Sequence, residues 1–309
     1  MAIDIDLIGN PPSAPKRGFA RAAQTHIRKP DWLRVSLPMG DDYERVRAKV
    51  NTLQLNTVCK EAACPNIAEC WGAGTATIMI LGDTCTRGCR FCNVKTGNPK
   101  GIVDWMEPVR VAEAVRDLGW KYLVLTAVDR DDLADGGALI FANTIRAIHE
   151  RVAGSKVEIL SGDYRGDLNA LDIVMDAKPD VFAHNLETVR RLTPTVRDKR
   201  ATYEQSLRIL EHAKNRAPER YTKTSLMLGL GETEEEIESA MDDARRVGID
   251  IFTMGQYLQP SKKHLPVVEF VTPEKFERLG TLARGKDFHQ VVSSPLSRSS
   301  YHAEQAFLP

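Results

Sequence analysis

Residues 75–92 read T-A-T-I-M-I-L-G-D-T-C-T-R-G-C-R-F-C, and the fold turns on them. The first eight are an apolar run rich in β-branched residues, the composition of a buried strand. Gly82 and Asp83 break that run into a polar loop carrying Cys85, Cys89 and Cys92. Six runs of similar character follow: KYLVLTAV (121–128), KVEILS (156–161), DVFAHN (180–185), TKTSLMLGL (222–230), DIFTMGQ (250–256) and HQVVSS (289–294). Between most of them lie stretches of helical period: PVRVAEAVRDLG, ALIFANTIRAIHERV, ATYEQSLRILEHAKN and TEEEIESAMDDARRVG. Thr233 and Glu236 make a capping box for the last of these, and Gly248 follows it as a C-cap. Near-continuous apolar strands alternating with helices predict a parallel sheet covered by helices. The expected class is α/β, a partial or full (β/α) TIM-like barrel, with a doubly wound sheet as the alternative.

A barrel carries its active site in the loops at the C-terminal ends of its strands. The loops that follow the predicted strands are polar and glycine-rich: the cysteine loop, then AVDRDDLADGG, SGDYRGD, HNLET, GLGET and QYLQPSKKH. All six cysteines fall between Cys59 and Cys92, as Cys59-x4-Cys64-x5-Cys70 and Cys85-x3-Cys89-x2-Cys92. A disulfide framework belongs to small secreted chains, so clustered thiols here point to metal or catalysis. Structural zinc takes four ligands, commonly from C-x2-C pairs, and three plus three fits it poorly. Two iron–sulfur clusters, each on three thiolates, fit better. Three thiolates leave one iron of a [4Fe–4S] cube open, where a substrate can chelate and receive an electron. Gly88 lets the loop fold tightly, and Arg87 and Arg90 add positive charge beside it. Pro65 is read as starting a short helix that carries Cys70.

The 309 residues include 42 basic and 42 acidic side chains, a net charge of zero. Such balance gives no reason to expect nucleic acid or membrane as partners. No apolar run approaches the roughly 20 residues of a membrane span. The start, MAIDIDLIGN, carries Asp4 and Asp6 and no apolar signal core, so a cytoplasmic location is expected. PPSAP and RKPDW make the first 40 residues an extended arm. Between Lys16 and Arg34 six basic residues face one acid, Asp31, which reads as a solvated stretch or a docking patch for an acidic partner.

The C-x3-C-x2-C spacing with Phe91 before its last cysteine, in the loop after the first strand, resembles the radical S-adenosylmethionine (SAM) superfamily. Its open iron binds the amino and carboxylate groups of SAM, which is then cleaved to a 5′-deoxyadenosyl radical. EAACPNIAECW (61–71) around Cys64 and Cys70, with Cys59, is similar to lipoyl synthases. The resemblance continues through GDTCTRGCRFCNV, VDRDDLADGG, HNLETV, LGLGET, QYLQPS and SPLSRSSYHA, roughly residues 26 to 304.

That resemblance implies a division into 1–74, an N-terminal arm with the auxiliary-cluster segment; 75–285, a radical SAM barrel; and 286–309, an extension carrying R-S-S-Y. It implies a second [4Fe–4S] cluster on Cys59, Cys64, Cys70 and Ser300, used as the sulfur source. A serine oxygen is a harder, poorer partner for cluster iron than thiolate, which suits a cluster meant to be dismantled. The implied reaction abstracts hydrogen from carbons 6 and 8 of an octanoyl chain on a carrier-domain lysine and inserts sulfur at each. It consumes two SAM per lipoyl group. Implied partners are octanoylated lipoyl carrier domains (2-oxoacid dehydrogenase acyltransferase subunits and the glycine cleavage H protein), a ferredoxin or flavodoxin type reductant, and cluster-assembly proteins. Asp135, Gly136 and Gly137 sit where the superfamily's glycine-rich segment meets the methionine amino group. Asn185 and Glu187 are candidates for the ribose or carboxylate of SAM, and Phe91 for its adenine. Arg298 is read as orienting the terminal motif or pairing with a cluster. His184 and His302 are expected to be structural. SGDYRG (161–166) departs from the proline-containing TPDFRG-like segment of many relatives, keeping Asp163 and Arg165-Gly166. Two other readings are a sulfur-inserting radical enzyme acting on a small molecule and a zinc-stabilised binding module.

Overall fold

The computed structural model describes residues 28–35, 40–301 and 303. Much of the basic stretch, and His302, lie outside these residues. The chain enters its main sheet through β1 (Asn56–Thr57), antiparallel to β2 (Thr77–Ile80). A separate two-stranded ladder, β3 (Thr84–Cys85) with β4 (Lys95–Thr96), frames the cysteine loop. Then come β5 (Tyr122–Ala127), β6 (Lys156–Leu160), β7 (Val181–Ala183), β8 (Tyr221–Leu228), β9 (Ile251–Gln256) and β10 (Gln290–Ser293). From β2 onward every neighbouring pair in the main sheet is parallel.

The spatial order is β1-β2-β5-β6-β7-β8-β9-β10, the order of the chain itself. A doubly wound sheet reverses its order at a switch point, and this one does not, so that alternative falls. β1 and β10 end the sheet without pairing to each other, which makes the barrel partial. All seven strands expected from the apolar runs are present.

Three early helices, α1 (Asp41–Thr52), α2 (Val58–Glu61) and α3 (Ile67–Gly72), hold the first cysteine triplet. The outer layer is α4 (Glu107–Leu118), α5 (Ala138–Arg151), α6 (Leu168–Met175), the one-turn α7 (Thr193–Val196), α8 (Tyr203–Arg216), α9 (Glu234–Arg246) and α10 (Pro273–Arg284). The Thr233–Glu236 capping box forms, and Gly248 adopts φ +81° just beyond the end of α9. That left-handed conformation is the one glycine takes without a Cβ clash. α1, α6 and α10, and the one-turn α2 and α7, were not expected from the sequence. Phe276, Leu279, Gly280 and Ala283 of α10 are buried at helical spacing, and Thr272 caps its start.

Side chains of a strand alternate between faces, so each strand gives one set to the helices and one to the barrel interior. Met79, Thr126, Leu160, Ser225, Met227, Thr253 and Gly255 point inward and line the upper interior. On the same faces lower down, Lys223 pairs with Glu158 at 2.9 Å, and the Tyr122 hydroxyl donates to Glu158 across 2.5 Å. This trio, with Lys223 and Glu158 buried and Tyr122 half-buried, floors the barrel. Among the described residues no helix is long and apolar enough to cross a membrane.

Candidate active site

A cavity of about 1160 Å³ opens at the C-terminal ends of the parallel strands, where the barrel rule places it. Cys64, Cys85, Cys89, Cys92 and Ser300 all line it, together with Phe91, Asn185 and Glu187. Cys59 is buried on α2 and Cys70 rides on α3; of the first triplet only Cys64 lines the cavity, together with all three thiols of the second. α3 begins at Ile67 with Asn66 as its N-cap, two residues later than the reading from Pro65 would have it.

The loop that carries Cys85, Cys89 and Cys92 is pinned by charge. Arg87 is turned inward and donates to both oxygens of Asp131 at 3.0 and 2.9 Å and to Asp163 at 2.6 Å. Asp129 lies 3.7 Å from the same guanidinium. Burial opposes the charged form of Asp163 most strongly, but the hydrogen bond and charge of Arg87, with His184 and Gln205, together outweigh it and hold that carboxyl down to about 2. Burial pushes Asp129 up to about 6 against the pull of Arg87. On the other side Asp198 accepts from the Gly88 amide at 2.9 Å, and its own amide donates to Cys89 Sγ at 3.2 Å. Arg200 closes the ring, reaching Asp198 at 2.8 Å and Asp131 at 3.0 Å. The Arg87 amide donates to Cys85 Sγ at 3.4 Å, and His264 reaches the Cys92 carbonyl at 3.0 Å.

The first triplet is tied to the far end of the chain. Asn66 Nδ2 donates to the Leu296 carbonyl at 2.8 Å, and the Tyr301 hydroxyl donates to Glu69 at 2.7 Å. Asn93 Nδ2, just past Cys92, donates to the Glu61 carbonyl at 2.8 Å and joins the two triplets. Arg298 lies in electrostatic reach of Cys64, and burial lowers its affinity for the proton. Gly255 on β9 lets the C-terminal segment pass, since a Cβ there would stand 2.0 Å from the Ser297 carbonyl oxygen.

The donor set suits iron–sulfur clusters. All six thiols are free. Burial pushes Cys85 up to about 11 and Cys89 up to about 12, so each needs a strong positive partner to ionise. Among the described residues no three His, Cys, Asp or Glu side chains gather closely enough for a single metal ion. A cube takes one protein ligand on each of its irons and so suits sets of three thiols, whereas structural zinc takes four ligands.

Residues 79–244 match the Radical SAM superfamily model, and residues 13–64 match the N-terminal domain of lipoyl synthase of the Radical SAM family. A lipoyl synthase of Thermus thermophilus is 57% identical over 295 residues, covering 95% of this chain and 91% of its own. The chain belongs to the lipoyl synthase family. A lipoyl synthase of Myxococcus xanthus is 55% identical over 281 residues, covering 91% of this chain and 94% of its own. A chloroplastic lipoyl synthase of Arabidopsis thaliana is 50% identical over 303 residues, covering 96% and 77%. The fold is that of the HydG maturase from Carboxydothermus hydrogenoformans, with TM-score 0.57 at 15% identity, covering 85% of this chain and 68% of that one. Streptococcus suis SuiB bound to S-adenosylmethionine superposes with TM-score 0.51 at 14% identity, covering 79% and 56%.

Against this lipoyl synthase frame the candidate SAM residues separate. Asn185 Nδ2 donates to Ser299 Oγ at 2.9 Å and to Glu187 at 3.2 Å, while Asn185 Oδ1 is buried with no protein partner. Phe91 lines the cavity and packs beside Val196 and Tyr257. Asp135, Gly136 and Gly137 do not line it. Asp135 instead accepts the amides of Gly137 and Leu139, both at 2.9 Å, at the start of α5. A Cβ on Gly137 would strike Leu81 at 2.3 Å, so these glycines serve a tight turn against the core. His184 is buried with both ring nitrogens partnered, to the Ser161 carbonyl and Ser206 Oγ at 2.8 Å each. Sequence reasoning missed Arg197, which lines the cavity, donates to Ser206 at 2.7 Å and keeps its Nε–H buried and unpartnered. It also missed Asp129 and Asp198. Only Asp129 had a hint, its place in the loop after β5; Asp198 lies between α7 and α8.

Proposed function

We propose that this chain is a lipoyl synthase that inserts sulfur at carbons 6 and 8 of an octanoyl chain on a carrier-domain lysine. In this reading Cys85, Cys89 and Cys92 hold the catalytic [4Fe–4S] cluster. Cys59, Cys64 and Cys70 with Ser300 hold an auxiliary one. One observation supports it: Cys64 of the first triplet, all three thiols of the second and Ser300 line a single cavity although Ser300 lies far away in sequence. When bound, these groups supply the electron that cleaves SAM and the sulfur that enters the chain.

The protein's own work is binding, orientation and exclusion of water. Arg197, buried with an unpartnered N–H in the cavity, would receive the methionine carboxylate. Asn185 and Glu187 would bind the ribose hydroxyls, the free Asn185 oxygen accepting one of them. Phe91 would pack on adenine. The turn residues Asp135, Gly136 and Gly137 would act by holding the start of α5. Leu258, Pro266, Val267, Val268 and Phe270 give one cavity wall the apolar surface that an octanoyl chain requires. Lys29 and Lys262 line the cavity, and among the described residues neither has an ion-pair partner, which suits an acidic carrier face. A ferredoxin or flavodoxin type reductant, cluster-assembly proteins and a cytoplasmic location belong to the same reading.

The test is iron and sulfide analysis of anaerobically reconstituted protein with turnover of an octanoylated carrier domain. About eight irons per chain are expected, falling toward about four in Ser300→Ala with the lipoyl product lost. Active protein with only four irons would refute the reading, and activity on free octanoate but not on the carrier would favour a small-molecule substrate.

A further inference from the structure

The C-terminal segment 296–301 is clasped at both ends by one short stretch of chain. Asn66 holds the Leu296 carbonyl at 2.8 Å, and Glu69 receives the Tyr301 hydroxyl at 2.7 Å. Asn66 caps α3 and Glu69 lies in its first turn, three residues on. Residues so spaced share a helix face. Leu296 and Tyr301 bracket Ser300, while Cys64 lies two residues before Asn66 and Cys70 directly follows Glu69. The clasp therefore fixes the serine relative to two of the three thiols with no metal ion involved. From the barrel side the same segment is held by Asn185 on Ser299 and by its close passage over Gly255.

Of the two clasp points, Tyr301–Glu69 is the one next to Ser300, and it is a charge-assisted bond to a carboxylate, stronger than the amide–carbonyl bond at Asn66. A serine oxygen is a poor ligand for cluster iron and depends on being held in place. We propose that the Tyr301–Glu69 hydrogen bond is a latch, a positioning contact that keeps the Ser300 hydroxyl at the auxiliary cluster and so sets how readily that cluster gives up iron. This inference rests on the auxiliary-cluster assignment above.

The experiment follows iron release from reconstituted full-length protein into an excess of a ferrous chelator under reducing, anaerobic conditions. It compares wild type with Tyr301→Phe, Glu69→Ala and Glu69→Gln. Tyr301→Phe and Glu69→Ala are expected to release half of the iron roughly tenfold faster, the factor lost with one charge-assisted hydrogen bond. The other half keeps its wild-type rate and reports that the barrel is intact. Glu69→Gln retains an oxygen that accepts from Tyr301 but loses the charge assistance, and is expected to fall between wild type and Glu69→Ala, at about threefold faster release. Wild-type release rates in Tyr301→Phe, equal acceleration of all the iron, or a Glu69→Gln that behaves like Glu69→Ala would each overturn the latch. Wild-type protein holding only about four irons overturns the cluster assignment as well, and is distinguished from failure of the latch alone, in which about eight irons are held and released alike.

Discussion

Arg87 and Asp163, 76 residues apart, meet at 2.6 Å in a buried ion pair that fastens the cysteine loop after β2 to the loop after β6. The same guanidinium serves Asp131 and Asp129, so one side chain compensates three carboxylates beneath the second triplet. Removing one partner of a buried pair leaves uncompensated charge. Arg87→Met is expected to cost about 3–5 kcal/mol, read by thermal or denaturant unfolding of the metal-free protein. Asp163→Asn, which keeps the shape and a hydrogen-bond acceptor, should cost less. Equal stability of wild type and Arg87→Met would show that the network does not hold this loop.

His184 gives the acid limb of the stability curve a definite sign. Burial first, then the charge of Arg197, lowers its pKa from 6.5 to about 4. Between these values the unfolded chain binds a proton that the folded one refuses, so stability falls as pH drops from 6.5 toward 4. Up to about 3 kcal/mol is at stake. Glu107, raised by burial to about 6, works in the opposite direction over part of that window. The measurement is therefore the difference between wild type and His184→Gln in denaturant melts from pH 7 to pH 4. The wild type should lose more stability across the range.

Gly255 is a checkpoint for the path of the C-terminal segment. A Cβ there would lie 2.0 Å from the Ser297 carbonyl oxygen and 3.1 Å from the Arg298 guanidinium. Gly255→Ala must shift that segment, and overpacking of this kind costs typically 1–3 kcal/mol. The expected outcome is loss of the iron bound by the first triplet with the second triplet still loaded, counted by iron analysis. Full loading of both would show that the segment yields without moving Ser300.

Charge at the cavity mouth should govern the carrier and not the cofactor. Lys29→Glu with Lys262→Glu is expected to raise KM for an octanoylated carrier domain by about tenfold at low salt and to flatten its salt dependence. Both are surface changes, so stability should move by no more than about 0.5 kcal/mol each. An unchanged KM would locate docking elsewhere.

Asp135→Ala tests whether the D-G-G turn touches cofactor or only caps a helix. Loss of its bonds to the Gly137 and Leu139 amides should cost about 1 kcal/mol of stability. SAM affinity, measured by equilibrium binding, should stay close to wild type, and a large loss would return the turn to the ligand site.

The strands and the second cysteine loop were legible because both signals are local. Apolar runs such as 121–128 announce buried parallel strands, and three thiols in one short loop announce a metal. The helices Asp41–Thr52 and Leu168–Met175 were less visible. The second has eight residues and depends on the Asp167 cap, while the first buries Val46 and Val50 in an otherwise charged stretch. The glycine pair at 136–137 is ambiguous in sequence because a tight turn and a ligand cradle demand the same residue. Arg197 was hidden for the opposite reason. Its importance comes from neighbours on α8 and β7 that only folding brings near, and nothing adjacent in sequence hints at them. Ser300 was reached through family resemblance, since a lone hydroxyl near a chain terminus carries no chemical signature.

The Glu158–Lys223 pair has a consequence for traffic. With its lower end stoppered by paired charges, the barrel is a vessel filled and emptied from the rim. Under the proposed two-SAM reaction on one tethered chain, the spent nucleoside and methionine would have to depart past a half-finished acyl arm, and order of exit would become part of the catalytic cycle.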